Sequence, residues 1–599
     1  MQSGTLLGAE ASCSGRTAFD SGHYRGKFVA PSSSTRMSHS LKLMNNAKQL
    51  WSGKQLTSHS LATTRHRCTR PVRAGADQIE STFSKTAAKA LEVNLNSLWY
   101  GVLAEIGAGQ EVARWFFRVG AAAGTIAKSI SAYDMTISDS TYGKADRYVT
   151  RDRVQNMLDY EYLQCFLTLK SARGKDTCFF AFADTVVAKA FGRNNECHGW
   201  LGIKYQSRPG AEPNTVMIHC RMLDDTAQLQ QEALGILGVN LVHGALSKGE
   251  QHYQVLAGLM DDLGRSRIEV DLVDFSGPDY QHVDKRCVAL RLVEKGLCDA
   301  ALFNPSGKLE IPQEALYKKN VLITRGRFRP FTLLHNDMLM GAASQFFCLD
   351  PNGPTASQDG DAYNECVYRD DTLVLLELTT RDMMEGGDLL DWTNRDGGIQ
   401  EESFIQRIEA LSTMGYSVLL SNYRRYFSLA SYLSTFSKES IVISMGIPSV
   451  RELFKEKHYT DLDGGILEGF GRLLKYDLKL YVYPTLDETT GEMVTAETLQ
   501  VEPKVQKLYD YIRERGTILP INDYNKELLM QDDVHKRVAE SIRSGTPDWE
   551  KLVPTLVRDQ IKTHSLLGYR SRPAPVLTNG SGKQQDPQQA QDKPQLVPK

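Results

Sequence analysis

Between Thr372 and Tyr483, short apolar runs alternate with longer stretches of helical periodicity. Thr372–Thr379, Ser417–Ser421, Ser440–Met445 and Leu478–Tyr483 have the length and β-branched content of buried strands. Glu401–Met414, Tyr423–Thr435 and Pro448–Lys457 lie between them with the spacing of helices, and Pro448 sits near a helix start, where a missing N–H costs nothing. Strands separated by whole helices cannot close as hairpins. They must cross over and pair in parallel, with helices on the sheet faces. The spacing therefore predicts an α/β fold whose C-terminal domain, 371–570, is built on a parallel sheet, followed by charged helices after residue 500.

Ligands of such sheets bind beyond the carboxyl ends of the strands. Those ends nominate Arg381, Ser421, Asn422, Ser444 and Gly446. The loop Thr460-Asp461-Leu462-Asp463-Gly464-Gly465 precedes a helix, so Asp461 and Asp463 are expected either to hold a Mg2+–phosphate or to cap that helix.

Upstream, Val321–Met340 (VLITRGRFRPFTLLHNDMLM) reads as a buried strand, a glycine turn and a helix beginning near Thr332. Glycine lets backbone N–H groups approach an anion, and a helix N-terminus favours negative charge. Arg325, Arg327 and Arg329 alternate along the turn and are expected to offer charge-assisted bonds to a polyphosphate. His335 is expected on the first helical turn, facing the same place.

The spacing of Gly326, Phe328, Pro330, Thr332 and His335, G-x-F-x-P-x-T-x-x-H, resembles the first signature of the nicotinamide/nicotinate mononucleotide adenylyltransferases. The resemblance implies transfer of AMP from Mg-ATP to a mononucleotide. The loop would hold the ATP phosphates, and His335 with Arg327 would stabilise the transferred phosphoryl group. That family's second signature has a loose echo in Ile443, Ser444, Ser449 and Arg451. More broadly, Leu98–Phe117 and Tyr459–Pro484 resemble a family found in cyanobacteria and plastids whose members are commonly labelled nicotinate-nucleotide adenylyltransferase. A plastid binding or assembly factor with a degenerate nucleotide or phosphate pocket is the alternative. A further stretch, ALFNPSGKL at 301–309, resembles the first motif of the haloacid-dehalogenase-like phosphatases, with Asn304 and Ser306 where the two aspartates belong. Leu411–Asn422 resembles their second. Asn304 cannot form an aspartyl-phosphate.

The N-terminal half is expected to be a separate helical plus α/β (or α+β) domain, 77–345. Leu98–Tyr133 reads as helical and carries Trp99, Trp115, Phe116 and Phe117, with Gly107-Ala108-Gly109 interrupting it. The small-residue run Gly120–Ser129 lacks the consecutive Gly, Lys and Ser/Thr of a phosphate loop. It is expected to allow close helix packing, and contact of these helices with a membrane surface is the other reading. Residues 150–172 form a helix. Strands at Cys178–Thr185, Leu201–Tyr205, Val216–Met222, Ile268–Phe275 and Ala300–Phe303 alternate with helices at Ala227–Leu246, His252–Leu263 and Val283–Lys295. His198, His219 and His243 are the candidate metal ligands of this half. Cys197 and Cys220 adjoin two of them, but neighbours on a strand point to opposite faces.

Residues 346–370 have the Pro/Gly/Ser content of a linker, and 571–599 that of a disordered tail. The first 76 residues hold eleven Lys/Arg against Glu10 and Asp20, a net +9, so a chain of formal charge −2 becomes −11 without them. That composition predicts a plastid transit peptide and a stromal destination, with the mitochondrial matrix as alternative. So acidic a remainder argues against general nucleic-acid binding. Ten cysteines without a C-x-x-C pair argue against a zinc ribbon and fit a reducing compartment. No run is long and apolar enough to span a bilayer.

Overall fold

The computed structural model describes residues 84–190, 192, 196–249, 251–347, 371–384, 399–487, 490–531 and 534–569. The expected transit segment and tail lie outside these residues, as does nearly all of the expected linker.

From residue 84 the chain builds a mixed six-stranded sheet. Its strands are β1 (Trp99–Ile106), β2 (Ile126–Ile130), β3 (Cys178–Val187), β4 (His198–Tyr205), β5 (Asn214–Met222) and β6 (Ile268–Ser276). The order is β2-β1-β3-β4-β5-β6. β1 runs parallel to β2 and β3, and the other pairs are antiparallel. Helices α1 (Lys85–Leu95), α2 (Glu111–Val119) and α5 (Ala227–Lys248) share the core on one face. Helices α3 (Met135–Tyr142) and α4 (Arg151–Arg173) close the other. Two short links follow, α6 (His252–Gly258) and α7 (Lys285–Lys295), and α7 packs against strands of both sheets.

The second sheet contains β7 (Ala300–Phe303), β8 (Leu309–Glu310), β9 (Asn320–Arg325), β10 (Thr372–Thr379), β11 (Ser417–Ser421), β12 (Ile441–Gly446), β13 (Leu478–Tyr483) and β16 (Ile518–Pro520), with a small separate hairpin of β14 (Thr485–Leu486) and β15 (Met493–Val494). The order is β16-β13-β12-β9-β10-β11-β7-β8. The six strands β9 to β13 and β16 are mutually parallel, and β7 is antiparallel to β11. Numbered among themselves, the parallel strands follow the doubly wound order 3-2-1-4-5-6, and their order reverses between β9 and β12. Strands of the type Val-Leu-Ile-Thr are apolar on both faces because both are covered. Helices α8 (Leu333–Phe347), α9 (Glu401–Thr413), α14 (Val534–Ser544) and α15 (Thr555–Thr563) cover one face, and α10 (Tyr426–Phe436), α11 (Ile447–Leu453), α12 (Gly465–Leu473) and α13 (Gln506–Glu514) the other. Each buried Ile, Leu or Val contributes about 1.5–3 kcal/mol.

Two expectations are corrected. The change of sheet falls between Ser276 and Ala300, not at 346–370, because β7, β8 and β9 belong to the second sheet. The expected long helix over Leu98–Tyr133 is β1, α2 and β2. Trp99–Ile106 is apolar on both sides, and periodicity alone cannot tell such a run from a buried helix. Gly101 decides it, since the Phe180 ring of β3 lies where a side chain would stand.

At the carboxyl ends of β1 and β3, Glu105 and Asp184 are register partners and both are buried. Glu105 accepts from Val112 N (3.0 Å) and Ala113 N (2.9 Å), which caps α2. Asp184 Oδ1 accepts from Ile106 N at 3.1 Å, while its Oδ2 has no hydrogen-bond partner. Burial, then mutual repulsion at Asp184, pushes both carboxyls above their ordinary range. A carboxyl raised in the folded state binds more protons folded than unfolded, so its stabilisation is full below the unfolded value of about 4.5 and is lost as pH rises. Chemical denaturation at pH 5 and pH 8 is expected to show Asp184→Asn gaining stability relative to wild type at the higher pH.

Candidate anion-binding site

β9 ends on Arg325 and β10 carries Glu377 as its register partner. Glu377 is fully buried. A buried carboxylate demands a partner, and Arg325 supplies a two-pronged one, Nε to Oε2 at 2.8 Å and Nη2 to Oε1 at 2.9 Å. Ser421 Oγ, from the end of β11, donates to Glu377 Oε1 at 2.6 Å. Burial opposes the Arg325 charge, but Glu377 more than offsets it and holds the guanidinium above its ordinary pKa. One strand over, Thr324 and Ser444 share a hydrogen bond across the reversal point. Thus β9, β10, β11 and β12 are tied by polar side chains at their carboxyl ends.

Above this layer lies a crevice of about 770 Å3. Arg325 and Arg327 enter it from β9 and its turn, Arg381 from the end of β10, and Arg424 and Arg425 from the end of β11. Lys457 adds a sixth cation, against the carboxylates Asp382 and Glu452. Arg327 is 58% exposed and stands 3.7 Å from Asp382. Glu452 is pulled down to about 2 by hydrogen bonds from Lys455, His458 and Lys457. Tyr426 packs beneath the Arg325 guanidinium, 4.5 Å from ring centre to Cζ. A polyanion entering here meets guanidinium groups from three strand ends at once.

The expected site residues divide. Arg325, Arg327, Arg381 and Asn422 line the crevice. Ser421 and Ser444 are buried and turned to Glu377 and Thr324, so they brace its floor instead of meeting a ligand. Gly446 is the residue before α11, and Pro448 and Ser449 of that helix reach the crevice. Arg329 does not line it. Burial, then the neighbouring Arg327 charge, lowers its pKa to about 10.

The glycine turn is not an anion cradle. The Phe328 ring folds back to within 2.7 Å of where a Gly326 side chain would start, and Gly326 N donates to Glu377 O at 3.1 Å. Phe328 takes φ 45°, a strained region for a bulky residue, and is held there with its ring buried. The peptide Arg329-Pro330 is cis. Thr332 is fully buried and caps α8. Its N donates to His335 Nδ1 at 3.0 Å, and its Oγ1 accepts from His335 N at 3.4 Å. This is a capping box in which His replaces Glu. Leu333 N donates to Leu552 O at 2.9 Å. The helix end is therefore spent on the chain itself. The His335 imidazole stacks among Phe328, Phe331 and His535, at 5.1, 5.4 and 4.5 Å. His335, expected at the phosphate, thus lies in the cap of α8 and does not line the crevice.

Asp461 is paired with Arg425, and Asp463 is exposed on the loop before α12. The pair does not fit a protein-held Mg2+, since the Asp461 carboxylate is already committed. Among the described residues no group of three or more His, Cys, Asp and Glu is suited to a metal ion. Asn304 closes a turn between β7 and β8, accepting from Ser306 N and Lys308 N at 3.0 Å each. Its strand is antiparallel to β11, unlike the opening strand of a phosphatase sheet. His198 Nδ1 and His219 Nε2 meet across strands at 3.1 Å, and His219 Nδ1 reaches Asp271 at 2.6 Å where the β5–β6 register shifts. Burial, then His219, pushes His198 down to about 4. His243 instead binds Glu92 at 3.0 Å.

Sequence reasoning missed Glu377, Arg424 and Arg425. A lone carboxylate inside Thr-Leu-Val-Leu-Leu-Glu-Leu-Thr was the available signal for the first. The Arg-Arg pair three residues past a strand end was the signal for the others.

No protein-family model matches the chain, and no curated protein matches it. Among solved structures it is similar to the competence/damage-inducible protein CihA from Agrobacterium tumefaciens, at 15% identity and TM-score 0.22, over 27% of this chain and 96% of that one. A CinA superfamily protein from Klebsiella pneumoniae matches at 14% identity and TM-score 0.21, over 27% and 96%. One from Enterobacter cloacae matches at 10% identity and TM-score 0.21, over 31% and 99%.

Burial, then the nearby His535, holds His335 well below its ordinary pKa, so it stays neutral when folded. A His lowered on folding contributes stability above its unfolded value of 6.5 that is lost as pH falls below it. Thermal melts are expected to show His335→Ala destabilised by about 1 kcal/mol through loss of the cap, and His335→Gln close to wild type.

Proposed function

We propose that the protein recognises a phosphate-rich small ligand, a nucleoside polyphosphate with its Mg2+, in the crevice at the order reversal of the doubly wound sheet. The supporting observation is the six cationic side chains lining that crevice against Asp382 and Glu452, with Arg325 and Arg425 also paired to Glu377 and Asp461, on a chain of net charge −2. Its place beyond the carboxyl ends of parallel strands is where ligands of such sheets bind. In this reading Mg2+ arrives on the phosphates, and Arg327 and Arg381 meet their oxygens.

Transfer of AMP to a nicotinate or nicotinamide mononucleotide is a narrower form of the same proposal. It needs a group that stabilises charge on the transferred phosphoryl, and with His335 outside the crevice and bonded to Thr332 that duty falls to Arg327. The blocked turn and helix end favour the binding or assembly factor over the transferase. The composition of residues 1–76 supports a plastid site of action, with the mitochondrial matrix as alternative.

Isothermal titration of the full chain with Mg-ATP, pyrophosphate and nicotinate mononucleotide tests both forms. Arg381→Glu and Arg424→Glu are each expected to weaken Mg-ATP or pyrophosphate binding about ten-fold or more, with His335→Ala binding like wild type. Equal affinity in all four proteins would refute the crevice as the site. Release of pyrophosphate in the presence of both nucleotides, abolished by Arg327→Ala, would establish the transferase.

A further inference from the structure

Helix α4 is 23 residues long and has two apolar faces. Val154, Met157, Leu158, Tyr162 and Cys165 close the core over the six-stranded sheet. On the opposite side Tyr160, Leu163 and Leu167 are exposed, by 39, 49 and 61%. Their spacing of three, four and seven places them on one stripe. A helix that packs one face normally keeps the other polar, so a second apolar stripe marks a surface that is covered in use.

The charges along this stripe are not symmetric. Asp152 and Asp159 lie on its N-terminal side, Asp159 paired with Lys204 at 2.6 Å, and Lys170 and Arg173 lie on its C-terminal side over the Phe166 and Tyr100 rings, all four exposed. We propose that this face binds a second copy of the chain, with the two α4 helices antiparallel about a two-fold axis at Leu163. A two-fold requires a surface complementary to itself, and an acid-apolar-base stripe meets that condition only when one copy is reversed. Reversal brings Asp152 toward the partner helix's basic end and the apolar thirds of both helices together. It also places Leu163 beside its own copy.

Sedimentation of the full chain tests this. Wild type is expected to be a dimer, and Leu163→Glu a monomer with an unchanged circular dichroism spectrum. Arg173→Asp is expected to weaken association about ten-fold, as two symmetry-related ion pairs are lost, and the double variant Asp152→Arg/Arg173→Asp to restore it. Independently of the Leu163→Glu fold, Leu163→Cys is expected to form a disulfide-linked dimer on mild oxidation, and Asp152→Cys, at the far end of the helix, is not. A chain that stays monomeric at its highest soluble concentration would overturn the proposal. So would a dimer that survives Leu163→Glu, a Leu163→Cys chain that does not cross-link, or another protein seated on the stripe in place of the second copy.

Discussion

The carboxyl end of the parallel sheet is organised by one buried ion pair. Glu377 has no access to water, and its charge is tolerable only because Arg325 grips both oxygens while Ser421 donates to one of them. Such a pair adds little net stability compared with apolar side chains of the same volume. Removing one partner, however, costs about 3–5 kcal/mol because the other charge is left stranded. Its structural effect is registration: β9, β10 and β11 must end level for the three side chains to meet. The crevice above inherits that alignment, since Arg327, Arg381 and Arg424 all leave the sheet within a few residues of the bonded layer.

A phosphate site in a doubly wound sheet usually combines a glycine turn, a helix N-terminus and basic side chains. Here the turn after β9 and the start of α8 are taken up by the chain itself, while basic side chains and the first residues of α11 line the crevice. Phe328 occupies the space that Gly326 opens, and the first N–H groups of α8 bond to His335 and to the carbonyl of Leu552. In the proposed reading, recognition in the crevice rests mainly on guanidinium groups. These suit polyanions in several geometries and discriminate less than a fixed ring of backbone donors.

Much of this was legible in sequence, and the physical reason separates what was from what was not. The strands β10, β11 and β13 were placed to the residue, because a run buried on both faces and bounded by polar turns has few alternatives. Arg381 and Asn422 followed from the strand ends, and Arg325 and Arg327 from the strand–turn–helix run at 321–340. Trp99–Ile106 was misassigned because full burial erases the two-residue alternation that identifies a strand. The side chain of His335 lies elsewhere than expected for a different reason. Thr-x-x-His at a helix start serves a phosphate and a capping box equally well, and only the direction of the ring separates the two. Glu377 was overlooked because its partner lies 52 residues away, adjacent only once the parallel pairing exists.

The two sheets also divide the physical tasks. Cationic side chains gather at the carboxyl ends of the second sheet, in a crevice beside the order reversal. An exposed apolar stripe of Tyr160, Leu163 and Leu167 lies on α4, on the side of that helix away from the first sheet. A small anion gains from the former because its hydration is replaced by fixed guanidinium donors. A protein surface gains from the latter because apolar area leaves water. Neither kind of partner has a physical reason to prefer the other's site, so occupation of the crevice and association through α4 are expected to be separable events on the same chain.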